Sequence, residues 1–518
     1  MPDILAIHAD AQPETPAVIV DSSGGARPSA TDFRAFNALV NRAAHAFVAV
    51  GAEPRDRMVW CGPNSLEVLA TVHAARKASL TAVPLSYRFN AEEMAYVIDN
   101  SDATLVVVDA EQAPLLAEVS HRLTKVRAFV VFGGDVPPGF RSWDETLAGQ
   151  PDTEPTIAAP ETAGASMIYT SGTTGRPKGA LRTRTDAKTV FALLSELNLQ
   201  PGNEVHVTTG PLYHSGPLAW ASMNHSLGCP VVVLRKFDPQ AWLRLVAEHR
   251  VTNTFSAPTQ LKRIVSLPPG ELARADLSSM RSLVADAAPV PYALKQEVIE
   301  KLGDGFLYEV YGSTELGVVT VLHPEDQLRK PGSCGLPAPG VELKLVDEAG
   351  QDIADPHVPG ELYVRSASVF STYYKAQDKY EEDRRGEFHT VGDIAYRDEE
   401  GYYYICDRKK DMIISGGMNI YPAEIEAALE QHPDIFDVAV FGVPSEEWGE
   451  SVHAVVVPAD GRTLTEQDVI AFARQHLAGY KVPRSVTFAD ELPRTGSGKI
   501  LKRELRAPFW AGHDSQVG

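Results

Sequence analysis

No stretch of the 518-residue chain approaches the roughly 20 consecutive apolar residues that a membrane-spanning helix needs, so no spanning segment is expected. Cysteine is scarce. Cys61, Cys229, Cys334 and Cys406 are scattered without CxxC spacing or clustered histidines, which fits neither a disulfide framework nor a zinc site and leaves them as small buried hydrophobes. Positive charge is outnumbered, 48 Lys+Arg against 68 Asp+Glu, for a net charge of -20. That balance repels nucleic-acid phosphates and anionic lipid headgroups over most of the surface, so no nucleic-acid partner is expected. A local basic patch, and with it peripheral membrane contact, stays open. The first residues, MPDILAIHADAQPETP, carry neither a basic n-region nor a long apolar h-region, and the expected location is cytoplasmic. Internal repeats and low-complexity tracts are missing as well.

What is present is an ordinary globular composition, 44% hydrophobic and 22% charged, on a chain long enough for two or more domains. The early part alternates helical and strand patterns. Residues 41–50 read as a helix end, and residues 57–60 and the β-branched run 104–108 read as buried strands, an alternation that implies parallel α/β layers. Residues 133–164, rich in Gly, Pro and polar side chains, read as a surface connection. A second change falls near Asp407-Arg408-Lys409-Lys410-Asp411, where a compact α+β pattern begins. Pro422 opens a helix, 438–443 and 452–457 read as strands, and Thr465-Glu466-Gln467-Asp468 resembles a capping box. The expected domains are 1–409 and 410–518.

The most informative segment follows a strand ending at Met167-Ile168-Tyr169: Thr170-Ser171-Gly172-Thr173-Thr174-Gly175-Arg176-Pro177-Lys178-Gly179. By composition it is a phosphate-binding loop. Glycines let backbone N–H groups approach an anion, hydroxyls add donors, and Lys178 adds a point charge. It is not the P-loop of ordinary NTPases, which requires Gly-Lys-Ser/Thr leading into a helix, whereas Lys178 precedes Gly179.

This ten-residue loop resembles the signature of the adenylate-forming enzymes: acyl-CoA synthetases, the adenylation domains of peptide synthetases, and firefly luciferase. The resemblance continues in order along nearly the whole chain. It implies a large N-terminal α/β domain of layered sheets and helices with a small β-barrel-like subdomain, and a small mobile α+β C-terminal domain. Thr170 to Gly175 and Lys178 would hold the phosphates of ATP. Tyr311-Gly312-Ser313-Thr314-Glu315 is similar to a second signature, in which the Tyr311 ring packs on adenine, Thr314 approaches the α-phosphate, and Glu315, with Thr170, helps hold Mg²⁺. Ala287, Ala288 and Pro289 match the segment lining the adenine pocket, preceded by Asp286 where a small residue is usual. Asp393 and Arg408 match the pair that holds the ribose, with Asp407 where a Gly is usual. Lys410 falls at the hinge of domain rotation. Lys499, on the Gly-rich loop Pro493 to Lys499, matches the catalytic lysine, whose ammonium reaches the substrate carboxylate and the bridging phosphate oxygen.

Arg88, Gly416, Gly417, Trp448, Tyr480 and Arg484 stand where some relatives contact coenzyme A. His214 replaces the Asp with which amino-acid-activating relatives pair the substrate ammonium, so an amino-acid substrate is disfavoured; His214 joins Lys499, Thr170 and Glu315 as a candidate catalytic residue. His214, Trp220, Phe255, Ala257, Leu316 and Val318 are the candidate walls of an acid pocket. The implied activity is an AMP-forming acyl-CoA synthetase. It would use ATP, Mg²⁺ and coenzyme A on a carboxylic acid, first a medium- or long-chain fatty or other apolar acid. Alternatives are an aryl acid such as benzoate or coumarate, loading of a separate carrier protein, a non-catalytic nucleotide-binding protein, and a luciferase-like oxygenase. A homodimer is left open.

Overall fold

The computed structural model describes residues 3–21, 29–156, 164–170, 177–183, 186–494 and 499–511. Among these residues the chain forms four sheets, two of them large and mixed. The eight-stranded sheet has at its centre Arg57–Cys61 between Thr81–Leu85 and Ala103–Asp109, all parallel. The β-branched run expected at 104–108 makes the last of these, buried on both faces under helices as parallel strands require. Beyond Thr81–Leu85 the sheet continues with Ser166–Thr170, which turns back antiparallel into Lys178–Arg182, Thr170 lying opposite Lys178. Thr372–Tyr374, almost two hundred residues later, adds the outer strand on that side.

The nine-stranded sheet carries Asn253–Ser256, Ser282–Ala285 and Leu307–Ser313 side by side in parallel, with His206–Thr208 next to the first. Their carboxyl ends all deliver loops to one rim. Beneath that rim the helix Tyr292–Leu302 is fastened to the strand Leu307–Ser313 by an ion pair between Lys295 and Glu309, both side chains almost wholly enclosed. Removing one partner of such a pair leaves a bare charge in the interior, typically a loss of about 3–5 kcal/mol.

Where a small barrel-like subdomain is expected, the chain forms a six-stranded antiparallel sheet that includes Gly360–Arg365, Asp393–Arg397 and Tyr403–Arg408, with no pairing that closes it among the described residues. After residue 410 a further core forms around Ile413, Ile425, Leu429, Val440, Val452 and Val456. The helix expected after Tyr421 is Pro422–Leu429, with Pro at its first position where its missing N–H costs nothing. The two expected strands are the long antiparallel pair Ile435–Ser445 and Gly449–Pro458. Thr465 and Asp468 close a reciprocal capping box at the start of Glu466–His476.

Residues 133–164 are not merely a surface connection. They contain the helix Trp143–Leu147, and Trp143 and Leu147 are buried in the first core cluster with Phe47 and Phe132. Two well-placed apolar side chains anchor a segment whose composition is otherwise that of a loop. Cys61, Cys229 and Cys334 are buried, Cys406 is half-buried, and all four are free. No helix among the described residues is long and apolar enough to cross a membrane.

Candidate active site

The loops at the rim open into a cleft of about 4340 Å³ between the large N-terminal part and the residues after 410. That is well above the ~300–1,000 Å³ of a site for one small ligand, and it gives room for a nucleotide and a second substrate together. Ligands in open α/β sheets bind outside the carboxyl ends of the strands, which is where this cleft lies.

Several residues singled out in the sequence meet here. Thr170, at the end of its strand, donates its hydroxyl to Glu315 Oε1 (2.8 Å), and Tyr373 donates to the same oxygen (3.1 Å). Thr314 shares a hydroxyl hydrogen bond with Ser215 (3.0 Å), and its carbonyl accepts from the Arg182 guanidinium (3.0 Å). The Tyr311 hydroxyl donates to Asp393, whose other oxygen faces Arg408 Nε at 3.3 Å. Burial first, and then the Asp393 carboxylate, push the Tyr311 phenol far up and keep it a donor. Ala287, Ala288 and Pro289 line the cleft, with Ala287 at φ +76°. Ser171, Gly172, Thr173, Thr174 and Gly175 lie outside the described residues; Gly312 and Ser313 are in the strand that carries Tyr311.

Lys499 projects into this cleft from the far side. Burial lowers its pKa, the Arg408 guanidinium adds to the shift, and Asp286, Asp393 and Glu315 oppose it. Lys410 sits in the turn after Tyr403–Arg408, its pKa lowered mainly by burial. Asp407 has a structural occupation. Its carboxylate accepts the N–H groups of Arg408 (2.7 Å) and of Ala423 (2.8 Å), the second position of the helix Pro422–Leu429, whose own cap residue Tyr421 makes no side-chain cap.

The acid-pocket residues are mostly together. His214 stands just before the helix Ser215–Ser226 without a side-chain cap to it and packs on Tyr213, ring centroids 4.3 Å apart; Trp220 and Phe255 meet at 4.9 Å. Gly216 is held to glycine because a Cβ there would run into the Phe255 ring. His214, Trp220, Phe255, Ala257 and Val318 line the cleft. Leu316 does not: it is 1% exposed in the core beside Trp220 and Phe255, drawn inward by a turn in which its N–H donates to Ser313 Oγ (3.0 Å). The proposed coenzyme A contacts are not brought together. Arg88 and Tyr480 line the cleft, whereas Trp448 packs over Gly416, in the turn shared with Gly417, and under the Arg484 guanidinium 5.9 Å away. Sequence reasoning passed over Tyr373, Arg182 and Ser215. Each lies outside the signature segments and reaches the site only through strand or helix placement.

The description AMP-binding enzyme fits residues 5–374, and AMP-binding enzyme C-terminal domain fits residues 424–499. A feruloyl-CoA synthase of Amycolatopsis sp is 37% identical over 475 residues, 91% of this chain and 92% of that one. The long-chain-fatty-acid–CoA ligase FadD13 of Mycobacterium tuberculosis is 32% identical over 479 residues, 92% of each. The crystal structure of ATP-bound MatB from Rhodopseudomonas palustris superimposes with a TM-score of 0.87 at 29% identity, covering 98% of both chains. The chain thus belongs to the AMP-binding enzymes. It is an adenylate-forming acid–thiol ligase, with ATP and coenzyme A as co-substrates.

Proposed function

We propose that the acid is a planar aromatic or aryl-alkenoic acid of the ferulate or coumarate class, and that Lys499, Thr170, Glu315, Asp393 and Arg408 serve its adenylation. The carrying observation is the pocket wall. Trp220 and Phe255 present tilted rings 4.9 Å apart, Tyr213 and His214 lie at 4.3 Å, and Tyr87 meets Tyr213 edge-on at 5.2 Å. Aromatic side chains gathered on one wall favour another ring packed edge-on or offset against them, by roughly 0.5–1.5 kcal/mol per pair beyond area alone. The 37% identity to a feruloyl-CoA synthase supports this reading.

A carboxylate is a poor electrophile, so its oxygen first attacks the α-phosphorus of ATP, forming acyl-adenylate and releasing pyrophosphate. Lys499 would balance the charge moving onto the bridging oxygen. Asp393 would accept from the ribose hydroxyls, and Arg408 would hold Asp393 in place. The thiol of coenzyme A then attacks the acyl carbon and AMP leaves. Glu315 and Thr170 suit Mg²⁺: both hydroxyls donate to Oε1, and among the described residues Oε2 accepts no hydrogen bond. One carboxylate fits an ion that keeps its waters and phosphate ligands, and when bound that ion would neutralise charge on the phosphates.

A fatty acid is the second reading, favoured by the apolar continuation of the cleft along Val190, Leu194, Met223 and Leu227. Pyrophosphate release with ferulate, coumarate, benzoate, octanoate and palmitate, with and without coenzyme A, separates the two. We expect kcat/KM for ferulate or coumarate to exceed that for octanoate by about tenfold or more. A preference for palmitate overturns the aromatic assignment.

A further inference from the structure

Glu315 Oε1 receives two hydroxyls, that of Thr170 from the strand Ser166–Thr170 and that of Tyr373 from the strand Thr372–Tyr374. The two strands flank Lys178–Arg182 in one sheet, and in each the donor has a tyrosine next to it: Tyr169 beside Thr170, Tyr374 beside Tyr373. Neighbouring side chains of a strand point to opposite faces of the sheet. Tyr169 and Tyr374 therefore face away from Glu315, and the register sets them in one row, with Gly179 between them as the partner of both.

Behind the sheet this row meets a single helix end. The Tyr169 hydroxyl donates to Oδ1 of Asn100 (2.7 Å), the last residue of the helix Ala91–Asn100. Two residues further on, Asp102 Oδ2 accepts from the Tyr374 hydroxyl (2.6 Å) and Oδ1 from Lys375 Nζ (2.9 Å). The helix end is itself held. Arg57, on a central strand of the same sheet, donates to the carbonyls of Ser101 (2.9 Å) and Asp102 (3.2 Å), and Lys125 Nζ reaches Asp102 Oδ1 at 2.8 Å.

Asp102 and Lys375 both have left-handed backbone, φ +51° and +57°, which a non-glycine residue keeps only where its surroundings enforce it. Here the two strained residues meet each other through their side chains. The strand between Lys375 and the site has little else to fix it: Thr372–Tyr374 is an edge of three residues, paired on one side only, to Lys178–Arg182.

We propose that Asn100 and Asp102 are positioning residues for adenylate formation: gripping Tyr169 and Tyr374 behind the sheet, they fix the hydroxyls of Thr170 and Tyr373 on Glu315 in front of it. The inference rests on the proposed role of Glu315 and Thr170 in adenylation. The lysines paired with Asp102 are exposed, and such pairs add little to stability, so what the grip supplies is geometry. A hydrogen bond weakens steeply with distance and angle, so an edge strand that drifted by about 1 Å would leave Glu315 Oε1 with one donor in place of two.

The test is a double-mutant cycle in the full chain between Asp102→Gly and Tyr373→Phe. Glycine keeps the left-handed backbone without strain and removes only the carboxylate. With ferulate, or the best acid of the panel above, adenylate formation is followed by pyrophosphate release. Thioester formation from supplied acyl-adenylate and coenzyme A is followed separately. Asp102→Gly should slow adenylation about two- to fivefold and leave thioester formation within about twofold of native. In the Tyr373→Phe background it should change adenylation by less than about 1.5-fold, because the hydroxyl it positions is already gone. ATP affinity, measured by calorimetry without acid and so without turnover, should follow the same non-additive pattern. Asp102→Asn, at home in left-handed backbone and still an acceptor for Tyr374, should keep more than about half the native rate.

Single effects that multiply in the double variant overturn the proposal, as does a native adenylation rate in Asp102→Gly or an equal fall in both half-reactions, the mark of a weakened fold. If Asp102→Gly does not fold, Tyr374→Phe takes its place in the cycle under the same criteria. Tyr169→Phe against Thr170→Val tests the Asn100 arm in the same way. Glu315→Gln is run alongside. If it leaves adenylation intact, the role of Glu315 fails; if it slows adenylation while Asp102→Gly and Tyr373→Phe multiply, the positioning role alone fails.

Discussion

The nucleotide-facing residues and the residues proposed for coenzyme A come from the same two parts of the chain, yet only one set is assembled. Thr170 is bonded to Glu315, Tyr311 and Arg408 are bonded to Asp393, and Lys499 lines the same cleft. Arg88 stays on the cleft wall while Trp448, Gly416 and Arg484 cluster apart from it. With the roles proposed above, this arrangement would suit the step with ATP and leave the step with the thiol to another. Two reactions that need different groups at one carbon would then be served by two poses rather than by one crowded pocket. The junction at Asp407 to Lys410 is where such a change of pose would concentrate, and Asp407 already ties the strand before it to the helix after it.

The largest effect should come from the group that belongs to one pose only. Lys499→Ala should reduce acid-dependent pyrophosphate release by about a hundredfold or more, while thioester formation from supplied acyl-adenylate continues near the native rate. Equal loss of both would break the comparison. Trp448→Ala should do the reverse on a smaller scale, raising KM for coenzyme A by about two- to tenfold with pyrophosphate release in the first turnover unchanged. If both half-reactions respond alike to it, the Trp448 cluster is packing and not part of a second site. Smallest is Tyr373→Phe, which removes one of the two donors to Glu315 Oε1; adenylation should slow by about two- to tenfold, the worth of one hydrogen bond. Measured against rising Mg²⁺, that loss should shrink if Glu315 serves the ion.

Much of this was legible from the sequence, for reasons that differ by element. Residues 104–108 and 452–457 announce buried strands because β-branched side chains fit a pleat covered on both faces. Pro422 and Thr465 announce helix starts because unpaired N–H groups at a helix end must be removed or capped. The helix Trp143–Leu147 was hidden because five residues are too few to show a period. The strand Thr372–Tyr374 is shorter still, and it exists because Lys178–Arg182 offers an edge to pair with. With it come Tyr373 and its bond to Glu315, a partnership that no spacing along the chain could reveal. Leu316 shows another limit: a pocket wall and a core both call for apolar residues, and only the turn at Ser313 decides which way the side chain goes. Asp286 and Asp407 stand out as departures, but their uses, a turn and a helix end, show only in the folded chain.

The enclosed pair of Lys295 and Glu309 has a consequence for anyone who mutates this protein in bulk. Both residues lie one helix or a few positions from the signature segment Tyr311 to Glu315, and both are charged where charge is rare. In a crude-lysate screen, losing Lys295 and losing Lys499 would look alike, a colony with no product. The first empties the cell of folded enzyme and the second fills it with enzyme that binds and does not turn over, so a screen scored without a measure of protein amount would promote a foundation stone to the rank of a tool.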